Sequence, residues 1–286
     1  MPTITVLLRT FTDALTHVTT AAEARALARR VVGQRLALSA HELALRGPEE
    51  VDAAAAEVIG NDLCRLLARE PVQYVLGSAP FLDLDLYVGP GVLIPRPETE
   101  ELAQLVIMEL RAVAAPRVLD VGTGSGCLAV AVAHSLPGAV VTGLDVSAAA
   151  LAIARGNGAR YGNRVTWVEA DIFGEVPAEL GALDALVSNP PYVPQREAST
   201  LEPHVRDHEP ALALFVPDAD PVRYYHRLAA VGQLTLSRGG RLYLETHTEY
   251  ASAVADLLLH HSYAHVAVLN DFTGRPRFVT ATWPGK

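Results

Sequence analysis

Over the first third of the chain, apolar positions recur at helical spacing; beyond it they gather into short unbroken runs. Residues 21–33 and 51–69 place Ala, Leu, Ile and Val on one helical face, with Arg and Glu between them. Gly33, Gly47-Pro48 and Gly60 punctuate this stretch, and Glu49 and Glu50 after Pro48 suit the first turn of a helix. Residues 1–75 therefore predict a small helical domain. Residues 79–95 alternate and contain Gly89-Pro90-Gly91, which predicts a β-hairpin. A helix over 98–113 completes a linking segment, 76–115. From residue 116 the pattern changes to buried strands at 117–121, 139–144, 165–170 and 183–188, with helices starting at 128–134 and near Ser147. Later strands are expected at 241–245, 265–269 and 277–282. Strands alternating with helices predict an α/β fold, a mostly parallel sheet covered by helices on both faces.

The ends of those strands carry the chemistry. Arg117 to Val121 runs into Gly122-Thr123-Gly124-Ser125-Gly126 and then a helix, the nucleotide-binding entrance of a doubly wound fold. The dinucleotide fingerprint would need glycine at 127, where Cys127 stands, so an NAD or FAD site is not indicated. The glycine turn still lets backbone N–H groups approach an anionic group. Asp145 ends the next strand and can accept from two ribose hydroxyls; its alternative role is in the N-cap region of the following helix. Asp171 ends the third, where it can accept from an adenine amine with Ile172 against the ring, or simply serve a turn. These three strand ends fit S-adenosylmethionine, with its carboxylate at the glycine turn, its ribose at Asp145 and its adenine at Asp171.

The fourth strand ends at Asn189-Pro190-Pro191-Tyr192. Two prolines cannot continue a strand or start an ordinary helix, so the chain is stiff there. Asn189 and the Pro190 carbonyl supply two acceptors, which suit a planar –NH2 group, and the Tyr192 ring can cover its face. Such a site orients a weakly nucleophilic amide or aryl-amine nitrogen toward an electrophile. A turn built on two prolines is the simpler alternative.

Pro71 to Gly77, the segment Val92-Leu93-Ile94-Pro95-Arg96-Pro97-Glu98-Thr99-Glu100, Asp120 to Gly126, Asn189 to Tyr192, Glu209 to Leu214 and Gly274-Arg275-Pro276-Arg277 together resemble the HemK/PrmC glutamine N5-methyltransferases. The resemblance covers the chain from about residue 70 onward and, more loosely, the helical part before it. It implies a class I S-adenosylmethionine-dependent methyltransferase fold, Rossmann-like, preceded by an N-terminal helical domain and a β-hairpin linker. Its domains would be 1–75 for substrate docking, 76–115 as linker and 116–286 for methyl transfer. It further implies transfer of the methyl of S-adenosylmethionine, leaving S-adenosylhomocysteine, to the Gly-Gly-Gln glutamine of a peptide-chain release factor. Asn189, Pro190 and Tyr192 would then be catalytic. Gly122, Thr123, Gly124, Ser125, Gly126, Asp145, Asp171, Ile172 and Asn189 would hold the cofactor. Asn189, Pro190, Pro191 and Tyr192 would meet the substrate. Arg96 and Glu98 would either touch it or brace the linker. The family usually carries Phe-Gly-Gly-x-Asp-Gly where this chain has Phe215-Val216-Pro217-Asp218-Ala219-Asp220, and a glycine soon after the strand-end Glu where it reads Glu245-Thr246-His247. These departures keep open a methyltransferase of the same fold acting on a small-molecule or nucleic-acid amine. A protein that holds the nucleoside without turnover is a third reading, against which the intact Asn-Pro-Pro-Tyr counts.

The chain has 286 residues, half of them hydrophobic, enough for one large or two modest domains. Its net charge of −9 gives no general basic footprint, so a nucleic-acid partner is not expected. Two distant cysteines, Cys64 and Cys127, make no disulfide framework and point to a cytoplasmic setting. No apolar run reaches the roughly 18–20 residues of a membrane span, and Met1-Pro2-Thr3-Ile4 lacks a signal-peptide pattern. His204 and His208 are four apart, but Pro203 and Pro210 interrupt the helix a metal pair would need, so no metal is expected. Cys127 lacks a paired His and is not read as a nucleophile. His260-His261 is expected to end a helix, and 196–207 reads as a polar lid.

Overall fold

The computed structural model describes residues 1–175 and 180–285. The chain forms two compact units: Met1–Ser78 with Glu202–His208, and Ala79–Leu201 with residue 209 onward.

The smaller unit is helical: α1 (Ile4–Leu15), α2 (Ala21–Leu36), α3 (Ala40–Leu45), α4 (Ala53–Leu67) and α5 (Val72–Leu76). The side chains of Thr3, Thr20, Ser39 and Asp52 each accept a backbone N–H in the first turn of the helix they precede. Ser39 and Glu42 form a reciprocal capping box. Phe11, Leu15, Ala28, Val31, Val32 and Ile59 make the core. Buried Asp62 is held by the Arg35 guanidinium at 2.6 Å, and that guanidinium also donates to the Val75 carbonyl.

The larger unit opens with a hairpin, β1 (Ala79–Phe81) and β2 (Leu84–Leu86). Its tip is Leu82-Asp83, not Gly89-Pro90-Gly91. Leu82 takes a left-handed φ of 53°, a place where turn rules look for glycine. The expected hairpin of 79–95 is therefore shorter, and 89–91 is a separate turn beyond its second strand. Helix α6 (Pro97–Leu110) begins with Pro97 in its first turn. Then follow β3 (Arg117–Val121), α7 (Cys127–Ser135), β4 (Val140–Asp145), α8 (Ala148–Arg160), β5 (Val165–Glu169) and β6 (Leu183–Ser188). A two-residue strand β7 (Val193–Pro194) leaves the Asn-Pro-Pro-Tyr turn and pairs in parallel with β8 (Phe215–Val216). Between them in the chain lie a 3-10 helix (Gln195–Thr200), α9 (Pro203–Arg206), which belongs to the smaller unit, and α10 (Ala211–Leu214). The segment 196–207, expected to be a polar loop, thus consists of helical turns. The Arg196 amide donates to Asp218 at 2.9 Å and its guanidinium to the Tyr250 hydroxyl at 2.7 Å. The chain ends with α11 (Arg223–Thr235), β9 (Leu236–Glu245), α12 (Ala251–His260), β10 (Ala264–Asn270) and β11 (Pro276–Thr282). His260 closes α12 as expected, its ring bonded to the Asp256 carbonyl at 2.7 Å.

The main sheet has seven strands in the order β10-β11-β9-β6-β3-β4-β5. Strands β3, β4, β5, β6 and β9 run parallel; β11 lies antiparallel to β9, and β10, antiparallel to β11, runs in the direction of the rest. Side chains alternate between the two covered faces. Val118 packs with α6 and α7, while Leu119 and Val121 pack with α11 and α12. Connections leave β3 for β4 on one side, and β6 returns on the other. The crevice beyond the carboxyl ends of β3 and β6 is therefore the topological switch point. Register aligns Val121 with Ser188 and Ser188 with Leu244. The glycine turn, Asn189 and Glu245 consequently emerge side by side.

Candidate active site

A cavity of about 390 Å³ opens at this switch point. Its floor is Gly122 to Ser125 of the glycine turn. Asp145 to Ser147 and Ala170 to Phe173 form one side, and Ser188 to Pro191 the other. The size suits a small-molecule or cofactor site. Gly91, Val92, Leu93, Pro95 and Thr99, from the segment expected to be a linker, contribute a wall. Buried Asn157 anchors that segment, exchanging hydrogen bonds with the Tyr87 backbone at 2.8 and 2.9 Å and donating to the Ser125 carbonyl at 2.9 Å.

The glycines divide into two kinds. Gly122 and Gly124 have φ of 72° and 56°, and at Gly122 a Cβ would meet only open space. Gly126 is not a lining residue, contrary to expectation. At φ 82° its Cβ would lie 2.8 Å from the Trp167 ring and 3.2 Å from the Ala154 methyl, so it serves the packing of α8 and β5. Asp120, fully buried beneath the turn, accepts from the Thr123 hydroxyl at 2.5 Å and from the Ala129 N–H of α7. Burial pushes its carboxyl up to about 7, against the pull of those donors. Asp120 Oδ1 is buried without a hydrogen-bond partner among the described residues.

Asp145 braces the site from β4. One of its oxygens accepts from the Gly124 N–H and the other from the Ser147 N–H, each at 2.9 Å. Burial raises its carboxyl above the ordinary range. The N-cap alternative is taken instead by Ser147, whose hydroxyl accepts from Ala150 N–H. Asp171 does form a turn, accepting from Phe173 N–H at 2.9 Å, and it also lines the cavity beside Ile172. The Arg227 guanidinium holds the Ile172 carbonyl. Arg223, stacked 4.6 Å over the Phe173 ring, and Tyr224 close this end. An apolar slot, an acceptor carboxylate and a glycine turn whose backbone approaches the cavity fit S-adenosylmethionine.

The Asn-Pro-Pro-Tyr turn splits in use. Asn189, Pro190 and Pro191 line the cavity; Tyr192 does not. Its hydroxyl donates to Glu245 at 3.2 Å and Arg277 stands 5.9 Å over its ring, so the expected cover over the substrate group is turned toward a buried carboxylate. Arg96 and Glu98 also fall outside the lining. Arg96 braces the linker, its guanidinium 2.6 Å from Glu209, whose other oxygen accepts the Ile94 N–H. Glu98 lies in the first turn of α6.

Two residues escaped the sequence reading. Thr99, buried in the first turn of α6, donates to Glu245 at 2.7 Å and accepts from Asn189 Nδ2 at 3.0 Å. Glu245 ends β9, fully buried, its carboxyl pushed up to about 7 by burial despite its hydrogen bonds and Arg277. The available signal was an apolar strand, Leu242-Tyr243-Leu244, closing on an acid. Cys127 lies at the cavity with its thiol pushed up to about 12 by burial, in keeping with an inert side chain. No cluster of three or more His, Cys, Asp or Glu side chains able to hold a metal occurs among the described residues. None of their helices is long and apolar enough to cross a membrane.

Comparison with known proteins shows what the chain is similar to. A family model described as the methyltransferase small domain matches residues 95–205, and one described as the PrmC N-terminal domain matches residues 7–77. A release factor glutamine methyltransferase of Bacteroides thetaiotaomicron is 39% identical over 259 residues, covering 91% of this chain and 92% of its own. Another, of Gloeobacter violaceus, is 38% identical over 275 residues, covering 95% and 94%. Among solved structures, a methyltransferase from Pyrococcus furiosus matches 79% of this chain and 100% of its own at a TM-score of 0.51 and 16% identity, a likeness of fold alone.

Proposed function

Since the chain belongs to the release factor glutamine methyltransferase family, we propose that it transfers a methyl group from S-adenosylmethionine to the side-chain amide nitrogen of a glutamine in a peptide-chain release factor. The observation that carries this reading is the placement of Asn189 beside the glycine turn in one cavity. When bound, S-adenosylmethionine supplies an electrophilic sulfonium methyl that needs no metal or acid for activation. The chain's task is to hold the poor nucleophile. An amide nitrogen has its lone pair delocalised into its carbonyl, so orientation matters more than basicity. Asn189 Oδ1 and the Pro190 carbonyl accept from the target –NH2. Pro190 and Pro191 add no N–H that would compete. Positioning of this kind contributes up to roughly 7–11 kcal/mol. The Gly122 to Ser125 turn receives the carboxylate end of the cofactor, Asp145 its ribose, and Asp171 with Ile172 its base.

The helical unit has the task of docking the protein substrate, because one glutamine side chain offers too little area for specific recognition. The reaction belongs in the cytoplasm, with the substrate. The test is methylation of a purified release factor by the intact protein, compared with a variant whose exposed Val58 and Leu67 on α4 are replaced by charged residues. The variant should lose methylation while keeping cofactor affinity. Equal activity would remove these two exposed positions of α4 from docking.

A further inference from the structure

The side-chain amide of Asn189 can sit in its place in two ways, a half-turn apart, and only one offers an oxygen to a substrate. We infer that Thr99, acting through the buried carboxylate of Glu245, is the positioning residue that selects the productive one. This rests on the glutamine-methylation reading of the site.

An ionised carboxylate only accepts hydrogen bonds. Glu245 Oε2 takes the Thr99 O–H at 2.7 Å and Oε1 takes the Tyr192 O–H at 3.2 Å. A threonine hydroxyl has a single hydrogen. Once given to Glu245, it leaves Thr99 Oγ only as an acceptor, and the partner it receives is Asn189 Nδ2 at 3.0 Å. Asn189 Oδ1 then has no donor among the described residues, and its residue lines the cavity. With the amide reversed, Oδ1 would demand the same Thr99 hydrogen. A carboxylate oxygen that is 1% exposed at the residue level would lose its donor, an outcome heavily disfavoured for a buried charge. The direction of the Asn189 amide is therefore dictated by a residue 90 positions away and by a third 146 positions from that. The groups facing Glu245 are Arg277 from β11, Glu98 from α6, Tyr192 from the proline turn and Tyr225 from α11, whose hydroxyl donates to the Glu245 backbone carbonyl. Arg277 favours the ionised, acceptor-only form on which the relay depends, but burial outweighs it and pushes the carboxyl up to about 7. The relay is therefore complete only above that pH, and the rates are compared at a pH well above it.

The test is a double-mutant cycle with Thr99→Val, Thr99→Ser and Asn189→Ala in the full-length protein, measured by single-turnover methyl transfer to a release factor and by calorimetric titration with S-adenosylhomocysteine. Thr99→Val should lower the transfer rate at least ~30-fold while cofactor affinity stays within about twofold, and Thr99→Ser should return to within ~3-fold of wild type. In the Asn189→Ala background Thr99→Val should add less than about twofold, because the group it orients is gone. A full ~30-fold loss in both backgrounds would make Thr99 a structural residue and overturn the inference, as would a Thr99→Val protein of wild-type rate. Should Thr99→Val fail to fold, Thr99→Ala takes its place. A second readout needs no substrate: hydrogen exchange of the Asn189 side-chain amide, followed by NMR on asparagine-labelled protein, should quicken at least ~10-fold in Thr99→Val. Unchanged exchange overturns the inference even if release factors are methylated. A wild type that methylates none of them, with the exchange difference present, overturns the functional reading and leaves the relay standing.

Discussion

Replacing Asp145 by asparagine alters one atom and disturbs two sets of bonds. Each carboxylate oxygen already receives a backbone N–H, from Gly124 and from Ser147, at 2.9 Å. Asparagine offers one acceptor, so whichever way its amide turns, one of those N–H groups faces an NH2. The residue is only 9% exposed, so the orphaned donor is poorly hydrated and folding stability should drop by about 1–3 kcal/mol. The same oxygens are the expected acceptors for the ribose hydroxyls. A hydrogen bond to a charged group contributes about 1.5–3 kcal/mol, and the amide keeps part of that, so a net loss of about 2 kcal/mol is expected. At 1.4 kcal/mol per tenfold, S-adenosylhomocysteine should bind about 30-fold more weakly. Calorimetric titration of wild type and variant gives the affinities. A parallel titration with an analogue lacking both ribose hydroxyls separates direct contact from loop disturbance, since that analogue should bind the two proteins about equally. The assignment is refuted if the natural product binds both proteins alike, or if the analogue loses as much as the natural product does.

Asn189→Ala should cut kcat at least ~100-fold with little change in cofactor affinity, the pattern of an interaction made in the transition state, as steady-state kinetics and calorimetry together would reveal. Gly126→Ala forces a methyl to 2.8 Å from Trp167 at a φ of 82°. Overpacking with left-handed strain should cost about 2–4 kcal/mol, read from urea unfolding. Arg96→Ala leaves the wholly buried Glu209 carboxylate facing only the Ile94 N–H. Since the arginine is itself partly exposed, a loss of about 2–3 kcal/mol in unfolding free energy is expected, toward the lower end for buried pairs. Burial raises the Glu245 carboxyl from 4.5 to about 7, so between those values the folded state keeps a proton that the unfolded chain has released. Its contribution to stability therefore declines as pH rises through that window. The wild type should lose melting temperature relative to Glu245→Gln between pH 4.5 and 7.5, and an opposite trend would show that the carboxylate is stabilised when charged.

The parts of the site carried by short segments were legible in the sequence. Strand, glycine turn and helix follow one another within twenty residues, and a strand ending in two prolines announces its own stop. What could not be read was anything that depends on strand order. Nothing local says that β9 lies next to β6, and so nothing places Glu245 beside Asn189 or brings Thr99 to both. The same distance hid Glu209 as the partner of Arg96, leaving its bracing and substrate roles undivided until the fold set them 2.6 Å apart. Gly126 looked like its neighbours because the pattern cannot tell a glycine facing a ligand from one facing a tryptophan; only the approach of Trp167 separates them. The hairpin tip was misplaced because Leu82 occupies a conformation that β-turn statistics give to glycine and asparagine.

Methyl transfer to a purified release factor, followed by mass spectrometry of its proteolytic peptides, bears most directly on the function. The intact protein with S-adenosylmethionine should add a single methyl group to the Gly-Gly-Gln glutamine, and none to a factor in which that glutamine is replaced by alanine. Methyl incorporation that persists in the replaced factor, or none at all in a protein that binds S-adenosylmethionine normally, would contradict it.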